Sequence, residues 1–220
     1  MRFSLNQIDQ TSRKAARGAG LPWGLADEVG KAVRWLHIHR LNGAPALAAW
    51  LDRHHRRRID YAQRAPASLS GVWRAPGGQL DPLVVGASLS DCIEGRRGTG
   101  IETGAIAHPL LAAGFIGVMA QSRDLAFTLT WPGGRLSCRR GGVQVSGPAV
   151  DAETAAFLRC RPSEPRGRDF RGRCRAPRIG EAVVDSGAWA RLEDHARRTC
   201  VSATVASRLA GAGAGLRDND

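Results

Sequence analysis

The hydrophobic pattern changes its period along the chain, and this change most restricts the fold. In the first part of the chain, apolar residues recur every three to four positions, as they do on one face of an α-helix. The clearest series is Leu25, Val29, Val33 and Leu36. Further along, apolar residues alternate with small or polar ones, as on a half-buried strand. These are Leu125, Phe127 and Leu129. The sequence therefore predicts an α+β fold with an N-terminal helical layer, a small antiparallel sheet and a C-terminal helix.

Capping signals place the first helix at the very start of the sequence. Ser4 and Gln7 have the spacing of a capping box, in which each side chain accepts a hydrogen bond from the other residue's backbone N–H. We expect Gly18 to be the left-handed residue that ends this helix. Two more helices are predicted over residues 22–42 and 45–57, from proline at the start and one apolar face in each.

The remaining helices and strands are predicted from the positions of proline and glycine and from the spacing of apolar residues. Helices are predicted over residues 81–93 and 109–120, and a short one over 151–158. A Pro-Gly-Gly turn at 132–134 joins alternating segments into an antiparallel meander. The final helix is predicted to begin at Ser186.

We expect one domain with two parts. Residues 1–60 form the helical N-terminal layer, and residues 61–220 form the α+β part of the same domain. Within the second part, residues 159–178 hold eight arginines interleaved with proline and glycine. This composition predicts a flexible arginine-rich loop that contributes nothing to the core.

The charge balance leaves the class of partner open. The net charge is +12, and Lys14 and Lys31 are the only lysines among 32 basic residues. Arginine is favoured where a planar guanidinium binds phosphate in a bidentate manner. The same excess also arises when a GC-rich genome replaces surface lysines by arginines. The sequence alone therefore permits nucleic-acid binding without requiring it.

Cysteine usage and hydropathy indicate a cytoplasmic protein. The five cysteines are odd in number and widely spaced, and no pair has the C-x-x-C spacing of a zinc or redox site. The longest apolar run, residues 105–120, is interrupted by His108 and Pro109 and is too short for a membrane span. We expect thiols in a reducing compartment and no membrane partner.

Similar glycine phrases stand near the two ends of the chain. Arg17 is followed by Gly-Ala-Gly-Leu, and residues 211–216 spell Gly-Ala-Gly-Ala-Gly-Leu before an acidic end. One interpretation is structural: both phrases are helix C-caps that allow close packing. The other is a joint ligand site at which the two ends meet.

The joint site would combine an anion-binding half with a cation-binding half. Backbone N–H groups from Gly18 to Gly20 and from the start of the second predicted helix would form an anion nest beside Arg17. Trp23 would either stack on the ligand or pack in the core. Oxygen ligands for a hard cation such as Mg²⁺ would come from the remaining acidic or amide side chains. These are Glu28, Asp218, Asn219 and Asp220.

No recognisable catalytic motif accompanies these residues. The six histidines lack zinc spacing, and His195 and Cys200 come without an orienting acid or oxyanion motif. Whether the protein is an enzyme therefore stays open, as does its oligomeric state.

The chain resembles a bacterial family known only as a domain of unknown function. The resemblance rests on segments near both ends and on two shorter segments between them. They are residues 4–8, 14–20, 23–28, 81–86, 189–193 and 211–220. The arginine-rich insert from Cys160 to Arg175 has no typical counterpart. The resemblance implies that the two glycine phrases are parts of one feature of the family, which favours a joint site. It implies no activity.

Three functions follow as hypotheses. The first is binding of a small anionic metabolite at the joined termini, as an accessory to a catabolic enzyme. The second is an enzyme that acts on a small carboxylate through a divalent cation. The third is nucleic-acid binding through the arginine-rich segment.

Overall fold

A computed structural model describes residues 1–54, 60–93, 100–164 and 180–199. Its helices are α1 (Leu5–Gly18), α2 (Trp23–Ile38), α3 (Gly43–His54), α4 (Tyr61–Arg64), α5 (Pro82–Cys92), α6 (Pro109–Arg123) and α7 (Ser186–Arg197). Its strands are β1 (Arg2–Ser4), β2 (Val72–Trp73), β3 (Ile101–Thr103), β4 (Ile106–Ala107), β5 (Phe127–Trp131), β6 (Gly134–Arg139), β7 (Gly142–Ser146), β8 (Thr154–Ala155), β9 (Arg159–Pro162) and β10 (Glu181–Val183). The α+β fold class is confirmed.

The helical layer is built around α1, α2, α3 and α7. The predicted capping box of α1 is present: the Gln7 N–H donates to Ser4 Oγ at 3.1 Å, and the Ser4 N–H donates to Gln7 Oε1 at 2.8 Å. Helix α1 packs against α2 and α7, and α3 also contacts α7. Helix α6 is buried along most of its length, because it lies against α2 and α5 on one side and against β5 and β6 on the other.

A six-stranded sheet lies beyond α6. Its strand order is β2-β3-β9-β5-β6-β7, with β2 and β3 parallel and the other pairs antiparallel. The predicted meander of β5, β6 and β7 is confirmed. Because successive side chains alternate between faces, Leu129 and Leu136 are buried in the core, while Thr130 and Arg135 project from the other face.

Two predictions between residues 151 and 178 are wrong. The expected helix over 151–158 is replaced by β8, because Thr154 and Ala155 pair with β4. The expected loop starts with β9, which lies inside the sheet between β3 and β5 and buries Cys160 completely. Strand pairing overrides local composition in both segments. The rest of that predicted loop, residues 165–178, lies outside the described residues.

The beginning of the chain lies against residues 180–199. Strand β1 pairs with β10, and the Phe3 ring stacks on Trp189 at a centroid distance of 3.7 Å. The N-terminal ammonium donates to the Val184 carbonyl at 2.9 Å. The first and last described elements are therefore joined through a two-stranded sheet and an aromatic stack.

Two of the three thiols in the described residues are fully buried, and Cys92 is partly buried. Cys138 and Cys160 are free and fully buried, and burial raises the pKa of Cys138 to about 12. Cys174 and Cys200 lie outside the described residues. Within the described part of the chain, no helix has the length and apolar character needed to cross a membrane.

Candidate functional site

Arg17 and Trp23 of the predicted terminal site lie together at the α1–α2 turn. The Arg17 guanidinium is 5.0 Å from the centre of the Trp23 ring, and its Nη1 donates to the Leu21 carbonyl at 2.8 Å. Trp23 is 60% exposed, so its interpretation as a core aromatic is wrong. The arginine shapes the turn while the indole stays on the surface.

The two predicted glycines differ from expectation in their roles. Gly18 remains within α1, and Gly20 is the residue with positive φ, at 101°. A Cβ on Gly18 would lie only 1.9 Å from the His195 carbonyl oxygen, so glycine is needed there for close packing against α7.

The glycine part of the predicted anion nest has its N–H groups occupied by hydrogen bonds within the turn. The N–H groups of Ala19, Gly20 and Leu21 donate to carbonyls of α1 at 2.9–3.2 Å. A nest requires backbone N–H groups that point at the anion instead. The glycine phrase at residues 17–21 therefore forms a helix ending and a packing surface, while anion binding at the start of α2, the other part of the predicted nest, stays a prediction.

Glu28 lines a different cleft from the rest of the predicted site. This cleft of about 360 Å³ lies between α2, α5 and α6, and it also contains Lys31, Asp91 and Arg123. Desolvation raises the pKa of Glu28, and the nearby Asp91 carboxylate adds to this effect. Arg17, Gly18, Gly20 and Trp23 are absent from the described lining of the cleft.

The other half of the predicted site lies outside the described residues. Asp218, Asn219 and Asp220 all belong to this part of the chain, so their meeting with the first glycine phrase stays a prediction. In the described ranges, no group of three or more histidine, cysteine or acidic side chains is placed to hold a metal ion. The Mg²⁺ prediction therefore depends on the C-terminal residues.

A basic depression on the open face of the sheet was not predicted as a site. It has a volume of about 320 Å³ and is formed by side chains of β5, β6 and β9, together with residues just after β9. We call it the arginine face, and we define it by Thr128, Thr130, Arg135, Arg159, Arg161 and Ser163. Strand register brings these residues together, since Thr130 is opposite both Arg135 and Arg159, and Thr128 is opposite Arg161.

Arg159 is held at one edge of the arginine face by two contacts. Its Nε donates to Glu102 on β3 at 2.7 Å, and its guanidinium lies 4.5 Å from the centre of the Phe157 ring. The hydrogen bond from Arg159 lowers the pKa of Glu102, and the positive charges of Arg161 and Arg74 lower it further. These guanidinium groups therefore create a positive field around Glu102.

Hydroxyl groups form a connected row across the same face. Thr128 Oγ1 lies 2.9 Å from Ser137 Oγ and 2.8 Å from Ser163 Oγ. Each hydroxyl has one hydrogen, and the two bonds of the row use two of the three, so the row leaves at most one O–H for a bound anion. The arginine face thus combines permanent positive charge with a row of hydroxyls.

A second polar depression lies between α3, α7 and the segment around β8. It has a volume of about 450 Å³, and we call it the histidine cleft. The polar residues that line it are Asn42, His108, Asp151, Glu153, Asp185 and Arg191. Most of them have partners: Asn42 donates to Asp151 at 3.0 Å, Arg53 pairs with Glu153, and Arg191 pairs with Asp52 at 3.1 Å.

His108 has an unusual backbone and an unusual ring environment. Its φ is 38° and its ψ is 64°, a left-handed conformation that is uncommon outside glycine, and Pro109 begins α6 directly after it. The residue is 3% exposed, and its Nε2 has no hydrogen-bond partner among the described residues. Burial and the nearby Arg53 charge lower the pKa of His108 to about 4, so the ring is neutral near pH 7.

Sequence reasoning missed both depressions for identifiable reasons. Arg159 and Arg161 were predicted to lie in a loop, so their place beside Thr128 and Thr130 could not be deduced. His108 was considered only as an interruption of an apolar run. One available signal was the His-Pro pair at the start of a predicted helix, because a polar residue before an N1 proline occupies the cap position.

Comparison with known proteins adds a family but no activity. Residues 3–80 match the model of a family described as protein of unknown function (DUF3726). This match supports the resemblance to an uncharacterised family over about the first third of the chain. No curated protein matches the chain.

Solved structures of malate dehydrogenases show partial similarity. The enzyme from Pyrococcus horikoshii OT3 is 13% identical, with a TM-score of 0.49, over 67% of this chain and 50% of that chain. The enzyme from Entamoeba histolytica is 10% identical, with a TM-score of 0.37, over 67% and 49% respectively. The chain thus spans about half the length of these enzymes, and the similarity is too weak to indicate a function.

Proposed function

We propose that the protein binds a small anionic metabolite on the arginine face. The observation that carries this proposal is the grouping of three guanidinium groups and three hydroxyls around one depression. No acidic side chain is among its described lining residues, although Arg159 also pairs with Glu102 on β3. Guanidinium groups bind carboxylate and phosphate through paired N–H donors. The ligand belongs to the class predicted from the sequence, a small anion. Its proposed site lies on the sheet and not at the glycine phrase.

The dimensions and chemistry of the site favour binding over catalysis. A volume of about 320 Å³ suits a small metabolite, since it is at the lower end of the range for ligand pockets. The described lining residues include no histidine, cysteine or carboxylate that would act as a general acid or base. We propose that the protein acts in the cytoplasm as an accessory to a catabolic enzyme.

Nucleic-acid binding is the second candidate. Arg159 and Arg161 begin the arginine-rich sequence, so a phosphate backbone lying on the arginine face would continue along it. However, no aromatic ring lines the depression in the described part of the chain, so bases would have no stacking surface there. We therefore place the small anion first. A divalent-cation enzyme stays a prediction that rests on Asp218, Asn219 and Asp220.

Thermal unfolding with and without anions tests the first proposal. Inorganic phosphate and malonate, each added at constant ionic strength, should raise the Tm of the wild-type protein. At ten times Kd the expected stabilisation is about 1.4 kcal/mol, which corresponds to a few degrees. The double variant Arg135→Gln with Arg161→Gln should lose this increase, because it removes two of the three guanidinium groups while leaving the Arg159–Glu102 pair intact.

Arg139→Gln provides a matched control. Arg139 lies on β6, the same strand as Arg135, but does not line the depression. This variant should keep the wild-type increase in Tm. Equal increases in the double variant and in the wild type would contradict the proposal. A short duplex DNA or RNA that binds with a steep salt dependence, when phosphate and malonate have no effect, would favour the second candidate.

A further inference from the structure

The histidine cleft has one apolar wall and one polar wall. Pro45, Ala46 and Ala49 of α3 form the apolar wall. These side chains are short and leave the space of the cleft open. A ligand with a short hydrocarbon part would bury that part against α3.

The polar wall carries a local excess of negative charge in a basic protein. Asp151, Glu153 and Asp185 contribute three carboxylates, against the guanidinium of Arg191 and that of Arg53, which pairs with Glu153. Asp185 also caps α7, where it accepts a hydrogen bond from the Ala188 N–H at 2.7 Å. The chain as a whole has a net charge of +12, whereas the carboxylates outnumber the guanidinium groups at this wall.

His108 adds a hydrogen-bonding group that the protein itself does not satisfy. Leaving a buried polar atom without a partner costs free energy comparable to the loss of a hydrogen bond. The His108 side chain is almost fully buried, and its Nε2 finds no partner in the described ranges. In its neutral form an imidazole nitrogen accepts a hydrogen bond from an N–H donor. In the tautomer with the proton on Nδ1, a ligand with N–H donors would supply the missing partner of Nε2.

The arrangement favours an organic cation over a metal ion. Residues that line the cleft include one histidine and three carboxylates, yet no group of three such side chains in the described part of the molecule is placed to hold a metal. A primary ammonium group offers three N–H donors and tolerates carboxylates that are spread apart. We propose that the histidine cleft binds a small primary alkylammonium ion, with its hydrocarbon chain against Pro45, Ala46 and Ala49 and its N–H groups directed to His108 and the carboxylates.

Calorimetric titration with n-butylammonium chloride tests this proposal, with n-butanol as a neutral ligand of similar shape. The full chain should bind n-butylammonium and not n-butanol. His108→Asn removes the imidazole but keeps a residue type that tolerates positive φ. Asp185→Asn removes one charge but keeps a good helix cap. Each variant should weaken binding at least tenfold.

Asp124→Asn is the matched control. Asp124 also has positive φ, at 54°, but it ends α6 at the opposite end from His108 and does not line the cleft. This variant should bind as the wild type does. Circular dichroism and Tm verify folding, and if His108→Asn fails to fold, the effect of Asp185→Asn decides the question. The proposal is overturned if wild type does not bind n-butylammonium, if n-butanol or Mg²⁺ binds equally well, or if both folded variants retain full affinity.

Discussion

At the scale of single residues, burial and helix-capping hydrogen bonds act on the pKa of Asp81 in opposite directions. Its Oδ1 accepts hydrogen bonds from the Leu83 and Val84 N–H groups at 2.8 and 3.1 Å, which caps α5. The residue is fully buried, and its Oδ2 has no hydrogen-bond partner among the described residues. Burial therefore raises the pKa of Asp81 to about 6, against the two hydrogen bonds that act in the opposite direction.

The raised pKa of Asp81 predicts a definite dependence of stability on pH. The folded state holds the proton more tightly than the unfolded state, whose carboxyl has a pKa near 3.8. Stability is therefore lost as the pH rises from about 4 to about 6, by about 3 kcal/mol in total. Asp81→Asn keeps the cap without the charge, so it should be more stable than the wild type above pH 6 and should lose this advantage near pH 4.

Denaturant unfolding of both proteins between pH 4 and pH 8 measures this difference. Asp81→Ala serves as the control, because it loses the cap and should be about 1 kcal/mol less stable than Asp81→Asn throughout. A stability difference between wild type and Asp81→Asn that does not vary with pH would show that Asp81 ionises normally in the fold.

Residue-scale prediction from sequence was strongest for local chemistry. The capping box of Ser4 and Gln7 was predicted and found, because both partners lie within one turn. The role of Gly18 was predicted wrongly, since the atom that requires glycine there belongs to His195, far along the chain. The spacing of residues in the sequence indicates contacts within one helical turn. It does not indicate contacts between residues that are far apart in the chain.

At the scale of elements, the contact between α1 and α7 depends on Gly18. The missing side chain lets the α7 backbone approach at His195, and Gly24 in α2 offers a contrast because a Cβ there would meet nothing within 4 Å. Gly18→Ala should destabilise the protein by about 1–3 kcal/mol through overpacking against backbone atoms. Gly24→Ala should be neutral or stabilising by up to about 1 kcal/mol, because alanine favours a helix.

Urea unfolding followed by circular dichroism compares the two glycine variants. Equal stability of Gly18→Ala and Gly24→Ala would mean that α7 does not pack on α1 as closely as the structure has it. A destabilised Gly18→Ala beside an unaffected Gly24→Ala would establish this helix pair as a tight contact.

Elements with their own local signals were predicted well, and those made by distant pairing were not. Helices α5, α6 and α7 and the β5–β7 meander were predicted from periodicity, caps and turns. Strand β9 was missed because its arginines and prolines are typical of a loop, and only its pairing with β3 and β5 makes it a strand. The arginine face could not be predicted for the same reason.

At the scale of the whole molecule, the first residues and the last described ones form one unit. Strand β1 pairs with β10, and α1 packs on α7, so the elements at residues 1–18 and 181–197 support each other. The meeting of the two glycine phrases themselves stays a prediction, because residues 200–220 lie outside the described part.

Charge is also distributed on the scale of the molecule. The arginine face lies on the open side of the sheet, and the histidine cleft lies between α3, α7 and the β8 region. One depression is lined by three arginines, and the other by three carboxylates against Arg191 and the Arg53 that pairs with Glu153. Two ligands of opposite charge would therefore bind at separate places without competing directly.

The most direct test of the account is to map anion binding by NMR. Inorganic phosphate is titrated at constant ionic strength into the ¹⁵N-labelled full chain, and the shifts of backbone amides are followed. We predict saturable shifts at Thr128, Thr130 and Ser163, with little change at Gly18 and Gly20 in the α1–α2 turn. Saturable shifts centred on Gly18 and Gly20, or none at the arginine face, would contradict the assignment of anion binding to the sheet.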